Sequence, residues 1–455
     1  MSDRLLSVGL DVGTTSTQMV LSELTVENRA SPFAVPELEI AQRKILCKSP
    51  VHFTPLVGEN LVDGGAIRTL VEEEYRKAGI SRGQVDTGAI IITGETSRKE
   101  NARTVLEALS DFAGDFVVAT AGPDLESVLA AKGAGAAEYS AQTGETVLHM
   151  DIGGGTSNLA LIRDGKIVET GCLNVGGRLL KLDRNGAVTY VSPVLEGLCS
   201  LKPGNRVDPG QVMETARLLA QALEMAAGLR EKTPLLEQLW TKESGPVWPA
   251  PPAKVVVSFS GGVADCIGQE RNWLEFGDMG PLLGRAIRES RLCTGEFMLG
   301  TETIRATVIG AGCHSAQLSG STVFCQNVAF PLKNVPVVNL TRAQQAEPGQ
   351  VLSGLLRRQD GIAAVALPGL PSPSYREVAA LADALAGAMK GRQVLLCLEQ
   401  DMAKALGQAL ALRLGREAEI LCIDRVKISE GSYLDVGAPV GPAFPVVVKT
   451  LVLEK

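Results

Sequence analysis

The sequence is poor in the signals that mark metal, redox or membrane chemistry. Its three histidines, His52, His149 and His314, stand far apart, and none of its nine cysteines forms a C-x-x-C pair. A zinc site built from clustered Cys and His therefore has no signature here, the cysteines read as buried reduced thiols, and the histidines read as packing or surface residues. No run of about 18 apolar residues occurs, and the start MSDRLLSVGLD lacks an apolar stretch of signal-peptide length. Long basic runs are missing too: a net charge of -7 and a pI near 5.3 offer no footprint for nucleic-acid phosphates or an anionic lipid surface. The expectation is a cytoplasmic protein, with no nucleic acid and no membrane among its partners. Several nucleotide and hydrolase motifs are likewise absent: G-x-x-x-x-G-K-[ST], a complete G-x-G-x-x-G, and G-x-S-x-G.

What is present is bulk and glycine. With 455 residues, 45% of them hydrophobic, and 49 glycines, the chain exceeds what one core supports, since single cores stop growing near ~250 to 300 residues. An internal repeat organises it. Leu5 to Thr17 (LLSVGLDVGTTST) and Val147 to Asn158 (VLHMDIGGGTSN) are each an apolar strand ending in Asp, an apolar residue and Gly, then a Gly/Thr/Ser turn and a second strand. The two units lie 140 residues apart, from Asp11 to Asp151, which suits one copy per lobe. After the second copy, Asp164-Gly165 between β-rich runs predicts a type I′ hairpin, because that turn needs positive φ at both central residues.

The remaining elements follow from pattern. Gly88 to Ile92 predicts a strand and Glu95 to Leu109 a helix; Asp124 to Ala131 begins a further helix. Gln211 to Leu229 has helical apolar spacing, and Lys254 to Phe259 predicts a buried strand running into Gly261-Gly262. After the linker-like PGLPSPS, alternation predicts helix 375–389, strand 393–398, helix 401–414, strand 419–424 and a terminal strand at 445–453: a separate α/β unit.

Wrapping a triphosphate requires glycines for close approach and successive N–H donors, while small hydroxyls add donors without bulk. Gly13, Thr14 and Thr15 in the first turn and Gly153, Gly154, Gly155 and Thr156 in the second meet that requirement. Asp11 and Asp151 would hold Mg²⁺, largely through water, because this ion keeps much of its hydration shell. One such turn alone reads as a tight turn; two in matching strand context point to ATP. Ser258 to Asp265 (SFSGGVAD) is a third glycine turn, in which Gly261 and Gly262 would let the nucleoside lie against the backbone. A third Asp-x-Gly, Asp435 to Gly437, is followed by Ala and Pro instead of hydroxyls and is read as a plain turn.

The five segments Asp11 to Thr15, Ala121 to Ala131, Asp151 to Thr156, Ser260 to Asp265 and Ala306 to Gly312 resemble the landmarks of the actin, Hsp70 and sugar-kinase superfamily. That resemblance implies an α/β fold of duplicated actin/Hsp70-like (ribonuclease H-like) ATPase lobes, with the additional C-terminal α/β unit. The expected division is residues 1–140 for the first lobe, with an insertion about 32–86; 141–325 for the second; and 326–455 for the C-terminal domain. An acidic or polar residue of the first connecting segment positions the attacking water in that superfamily, and Glu126 occupies the matching stretch.

More narrowly, DVGTTSTQ, TGETSRKENA, MDIGGGTSN, SFSGGVADC, GDMGPLLG, ATVIGAG and GSYLDVGAPVG with VVVKTL resemble the bacterial ethanolamine ammonia-lyase reactivating factors over essentially the whole chain. This likeness implies a chaperone-like ATPase, with ATP and Mg²⁺ as cofactors and ethanolamine ammonia-lyase as partner, that releases damaged cobalamin so intact cofactor can bind. A homodimer, and association with a bacterial microcompartment through the lyase, are compatible with it. A small-molecule kinase and an actin-like filament or scaffold protein are the alternatives within the superfamily.

Overall fold

A computed structural model describes residues 3–13, 16–28, 38–57, 61–92, 109, 117–120, 123–244, 247, 255–300, 302–314, 317–320, 322–345, 348–349, 351–352, 362–426, 428, 432–439 and 443–450. Thr14 and Thr15 lie outside the described residues, as does nearly all of the helix expected over Glu95 to Leu109.

In the first sheet, β1 (Asp3–Val12) pairs antiparallel with β2 (Ser16–Asn28), and β2 with β3 (Leu38–Lys48). The strands β4 (Thr87–Ile92) and β5 (Val117–Thr120) then add in parallel, giving the order β3-β2-β1-β4-β5, with His52–Phe53 pairing the start of β2. Alternation along β1 sends Val8, Leu10 and Val12 to one face, where helix α1 (Gly64–Ala78) covers them with Ile67, Val71 and Tyr75 at four-residue spacing. That helix is capped at both ends: Asp63 accepts from the Ala66 amide, and Gly79 closes it at φ 70°.

After α2 (Pro123–Gly133) and α3 (Ala136–Thr143), the second sheet repeats this plan. Its antiparallel meander is β6 (Val147–Ile152), β7 (Ser157–Arg163) and β8 (Lys166–Leu173); β9 (Val256–Ser260) and β10 (Phe297–Leu299) add in parallel. The order, β8-β7-β6-β9-β10, and the strand directions match the first sheet. This duplicated α/β topology is the one expected of actin/Hsp70-like lobes. Asp164 (φ 48°) and Gly165 (φ 72°) form the hairpin that their dipeptide signals. One face of β6, with Leu148, Met150 and Ile152, packs into a core shared with α4 (Pro209–Ala226) and with the later helix Gly280–Arg288. The other face, with Val147, turns toward Ala131 and Ala136 of α2 and α3.

The sheets are tied by α5 (Ala306–His314), which crosses α2. Both helices carry glycine at the crossing. A Cβ on Gly133 would overlap the Ala306 carbonyl, and one on Gly310 the Leu129 carbonyl, so the backbones approach as only glycine permits. The same α5 lies against β1, where the Ser7 hydroxyl donates to the Gly312 carbonyl.

A third large sheet, of eight strands among the described residues, begins at Gln317. Its parallel centre is Leu332–Asn339, Ala364–Leu367, Val394–Leu398 and Ile420–Asp424, with helices Tyr375–Met389 and Ala403–Leu414 in the last two crossovers. The alternation read after residue 374 is thus present, its first helix capped by a Ser374/Glu377 box. Asp435 is no turn residue: it lies in the strand Ser432–Val436, opposite Val447 of Pro445–Thr450, and is 2% exposed. Like Asp11 and Asp151 it is the penultimate residue of its strand, and the chain leaves that strand at Gly437, whose amide donates to the Pro445 carbonyl at 3.0 Å.

Candidate functional site

The two glycine turns close alike. The Gly13 amide donates to the Ser16 carbonyl at 2.9 Å, and the Gly153 amide to the Thr156 carbonyl at 2.9 Å. Asp11 and Asp151 each stand at the end of the leading strand, one residue before its last, and each has a carboxamide directly across the antiparallel pair: Gln18 opposite Asp11 and Asn158 opposite Asp151. Gln18 donates through Nε2 to the Ile304 carbonyl at 3.3 Å, and Asn158 donates through Nδ2 to Glu126 Oε2 at 2.7 Å.

Asp151 is 9% exposed, and burial raises its carboxyl pKa to about 6, against hydrogen bonds from the Ser260 and Thr307 hydroxyls that pull it down. The Ser260 hydroxyl donates to Oδ1, and Thr307 reaches Oδ2 at 3.4 Å from the first turn of α5. That helix therefore touches β1 with its C-terminal half and Asp151 with its N-terminal half. Gly261, at φ 88°, leaves no room for a Cβ beside the Ile152 carbonyl, while Gly262 opens onto free space. Glu126, in the first turn of α2, is buried at 6% exposure and is oriented by Asn158, beside the second loop.

The structure thus brings Asp151, Gly153, Gly154, Gly155, Thr156, Glu126, Gly261 and Gly262 into one neighbourhood, to which Asp11 and Gly13 connect through α5. Several residues beside these escape a motif search. Arg178 packs along Gly154, donates its own amide to the Gly154 carbonyl at 2.6 Å, and is held by Asp278 at 3.3 Å. Gln18 and Asn158 do carry a sequence signal, since each stands seven positions after its aspartate. His149, read as a packing residue, is fully buried and hydrogen-bonded to Ser258 and Ser260; burial holds its pKa down at about 3, so the ring is neutral.

These residues fit a magnesium–nucleotide. No hydrogen bond to a described residue occupies the amides of Gly154, Gly155 or Thr156, which leaves donors for anionic oxygens. Gln18 Oε1 and Asn158 Oδ1 are buried acceptors without a partner, and the water shell of magnesium consists of donors. Among the described residues, no group of three or more His, Cys, Asp and Glu clusters as a directly coordinating site would require, and no helix is long and apolar enough to cross a membrane.

Comparison with known proteins extends the likeness beyond the site. The family model for the ethanolamine utilisation protein EutA matches residues 3–454. A protein of Salmonella typhimurium strain LT2 named ethanolamine ammonia-lyase reactivase EutA is 39% identical over 469 aligned residues, covering 98% of each chain. Its Escherichia coli K12 namesake is 39% identical over 465, again with 98% of each covered. Among solved structures, the ethanolamine utilization protein EutJ of Carboxydothermus hydrogenoformans aligns at 20% identity and TM-score 0.34 over 67% of this chain and 88% of its own. A Ppx/GppA family member of Aquifex aeolicus aligns at 16% and 0.37, over 59% and 69%.

Proposed function

Because the chain belongs to the EutA family of ethanolamine utilisation proteins, we propose that it is an ATP-dependent reactivating factor for ethanolamine ammonia-lyase, releasing damaged cobalamin so that intact cofactor can bind. The observation that carries this reading is the span of the likeness. It covers 98% of the chain at 39% identity, the eight-stranded C-terminal sheet included, which does not favour a small-molecule kinase or an actin-like filament protein sharing only the ATPase lobes.

The two loops hold ATP from opposite sides, with the amides of Gly154, Gly155 and Thr156 on its phosphates, Gly13 and Gly153 closing their turns around them, and Gly261 and Gly262 beside its nucleoside. Magnesium, when bound, neutralises phosphate charge and presents ordered waters. Asp11 and Asp151 accept from that water shell, with the carboxamide oxygens of Gln18 and Asn158 next to them. Glu126, fixed by Asn158, orients the attacking water. A γ-phosphate touching both loops favours the closed arrangement, and its loss frees the lobes to separate; only such differential binding converts hydrolysis into work on a partner.

For the surface that grips the lyase, the segment 32–86 is favoured over the C-terminal unit. Phe53 is 83% exposed and Val57 56%, with Leu56 and Leu61 exposed nearby. Thr54, between them, donates its hydroxyl to the Gly13 carbonyl at 2.7 Å, so this apolar surface is wired to the first loop. Replacing Phe53 and Val57 together by Asp should weaken lyase capture at least tenfold and leave ADP affinity unchanged; unchanged capture returns the assignment to residues 330–455. The protein acts in the cytoplasm, as a monomer or homodimer, and reaches a microcompartment through the lyase.

The decisive experiment adds the protein, ATP and Mg²⁺ to cobalamin-inactivated lyase. Activity should return with the parent chain and stay lost with Asp11→Ala or Asp151→Ala. Full recovery with both variants overturns the proposal.

A further inference from the structure

The neighbour of β6 on its parallel side is β9, and their register sets Ser258 beside His149 and Ser260 beside Asp151. Strand alternation puts all four side chains on one face, the face turned toward α2 and away from the Leu148, Met150 and Ile152 core. There they touch in series. Ser258 Oγ lies 3.1 Å from His149 Nδ1, His149 Nε2 lies 2.9 Å from Ser260 Oγ, and the Ser260 hydroxyl donates to Asp151 Oδ1.

Proton counting gives this chain a direction. A serine hydroxyl has one proton. Ser260 gives its proton to the carboxylate, so its oxygen can only accept from His149. The imidazole proton therefore sits on Nε2, Nδ1 is the acceptor, and Ser258 is the donor. From Ser258 to Asp151 every group donates forward. A buried histidine is ordinarily a satisfied core residue, and hydrogen bonds to two serines would be enough for that role. What distinguishes this one is where the chain ends. Oδ1 of Asp151 is occupied by Ser260, whereas among the described residues Oδ2 meets only the long 3.4 Å approach of Thr307.

We propose that His149 is a positioning residue: acting through Ser260, it fixes the orientation of the Asp151 carboxylate and leaves Oδ2 as the oxygen that serves the nucleotide's magnesium. This rests on the reading of Asp151 as a magnesium-site carboxylate. Ser260 holds the carboxylate directly and His149 holds Ser260; removing groups that orient a metal-site residue lowers metal affinity by about 10- to 100-fold, because a carboxylate free to rotate must be ordered again on each binding event.

The test measures binding rather than turnover. Calorimetric titration of the full chain with ADP, with and without MgCl₂, separates the magnesium-dependent part of the affinity from the rest. His149→Phe keeps a planar ring, somewhat larger, and removes both hydrogen bonds; Ser260→Ala breaks the chain at its last link and stands in should the phenylalanine variant fail to fold. Each should lower the magnesium-dependent gain in ADP affinity about tenfold and leave metal-free ADP affinity at the parent value. The double variant should be no worse than either single one, since both cut one path. His149→Gln, which can place an amide N–H toward Ser260, should restore most of the loss. If Asp151→Ala loses the magnesium dependence while His149→Phe and Ser260→Ala keep it, the positioning role falls and the site stands. If both variants weaken metal-free ADP binding equally, His149 is only a structural support, and the proposal is likewise overturned. If Asp151→Ala itself retains the dependence, the magnesium reading fails first and takes this role with it.

Discussion

Beside Asp11 on the parallel neighbour of the first sheet stands Ile91; beside Asp151, at the same place in the second sheet, stands Ser260. Two positions before the aspartate the contrast repeats. The first lobe has Gly9, pressed by the Val308 carbonyl and the Gly312 backbone, where the second has His149. Strand order, turn closure and the carboxamide across the pair are shared, so the copies diverge where each carboxylate is seated. In the first lobe a bare backbone lets α5 dock close and an apolar side chain fills the flank. In the second, a polar chain reaches the carboxylate from beneath. The lesson is that a duplicated scaffold repeats the cradle while its flanks specialise: beside the first aspartate the sheet admits the connecting helix, and beside the second it carries the polar chain of Ser260 and His149.

The largest effect that could break this comparison concerns the backbone behind each loop. Gly261→Ala must place a Cβ inside the Ile152 carbonyl at a φ of 88°, and should cost about 3 kcal/mol or more, read as a drop in the denaturation midpoint. Gly9→Ala meets the Val308 carbonyl and should cost a similar amount by prying α5 from β1. A loss below about 1 kcal/mol at either position would mean that the close approach is not needed there.

Next in size is the charge on Asp151. Its folded-state pKa of about 6 lies above the usual carboxylate range, so between about pH 4 and 6 the folded protein holds a proton that the unfolded chain has released. Stability therefore falls as pH rises through that window and stays lower above it. In metal-free buffer with chelator, Asp151→Asn should be more stable than the parent by up to about 2 to 3 kcal/mol at pH 8, and the gain should vanish toward pH 4. Equal pH profiles for the two proteins would show that the site is wet enough to solvate the charge.

The smallest effect sharpens the contrast between flanks. Ile91→Val should cost about 0.5 to 1.5 kcal/mol of stability, measured by urea denaturation, and leave magnesium-dependent ADP affinity untouched. A change in that affinity would place a positioning role in the first lobe as well.

Much of this was legible in the residues themselves. The duplicated Asp-x-Gly turn, its strand–turn–strand context and the Asp164-Gly165 hairpin are local signals, fixed by which φ values and hydrogen bonds those residue types allow. The C-terminal alternation was legible for the same reason, because helix and strand periods differ. Asp435 misled because an Asp-x-Gly string announces the turn at its glycine without saying that the aspartate still belongs to the paired strand.

The sequence by itself determined that two glycine cradles, each headed by a carboxylate, would sit on similar sheets. It could not determine what stands beside those carboxylates. Ser260 lies 109 residues after Asp151, and Thr307 lies 156 after it. Only the parallel register of β6 with β9, set by the packing of Met150, Val257 and Phe259 in the shared core, decides that a serine and not an apolar residue falls opposite the aspartate. A slip of one residue would turn that serine to the other face, which is why the seat of Asp151 belongs to the tertiary structure.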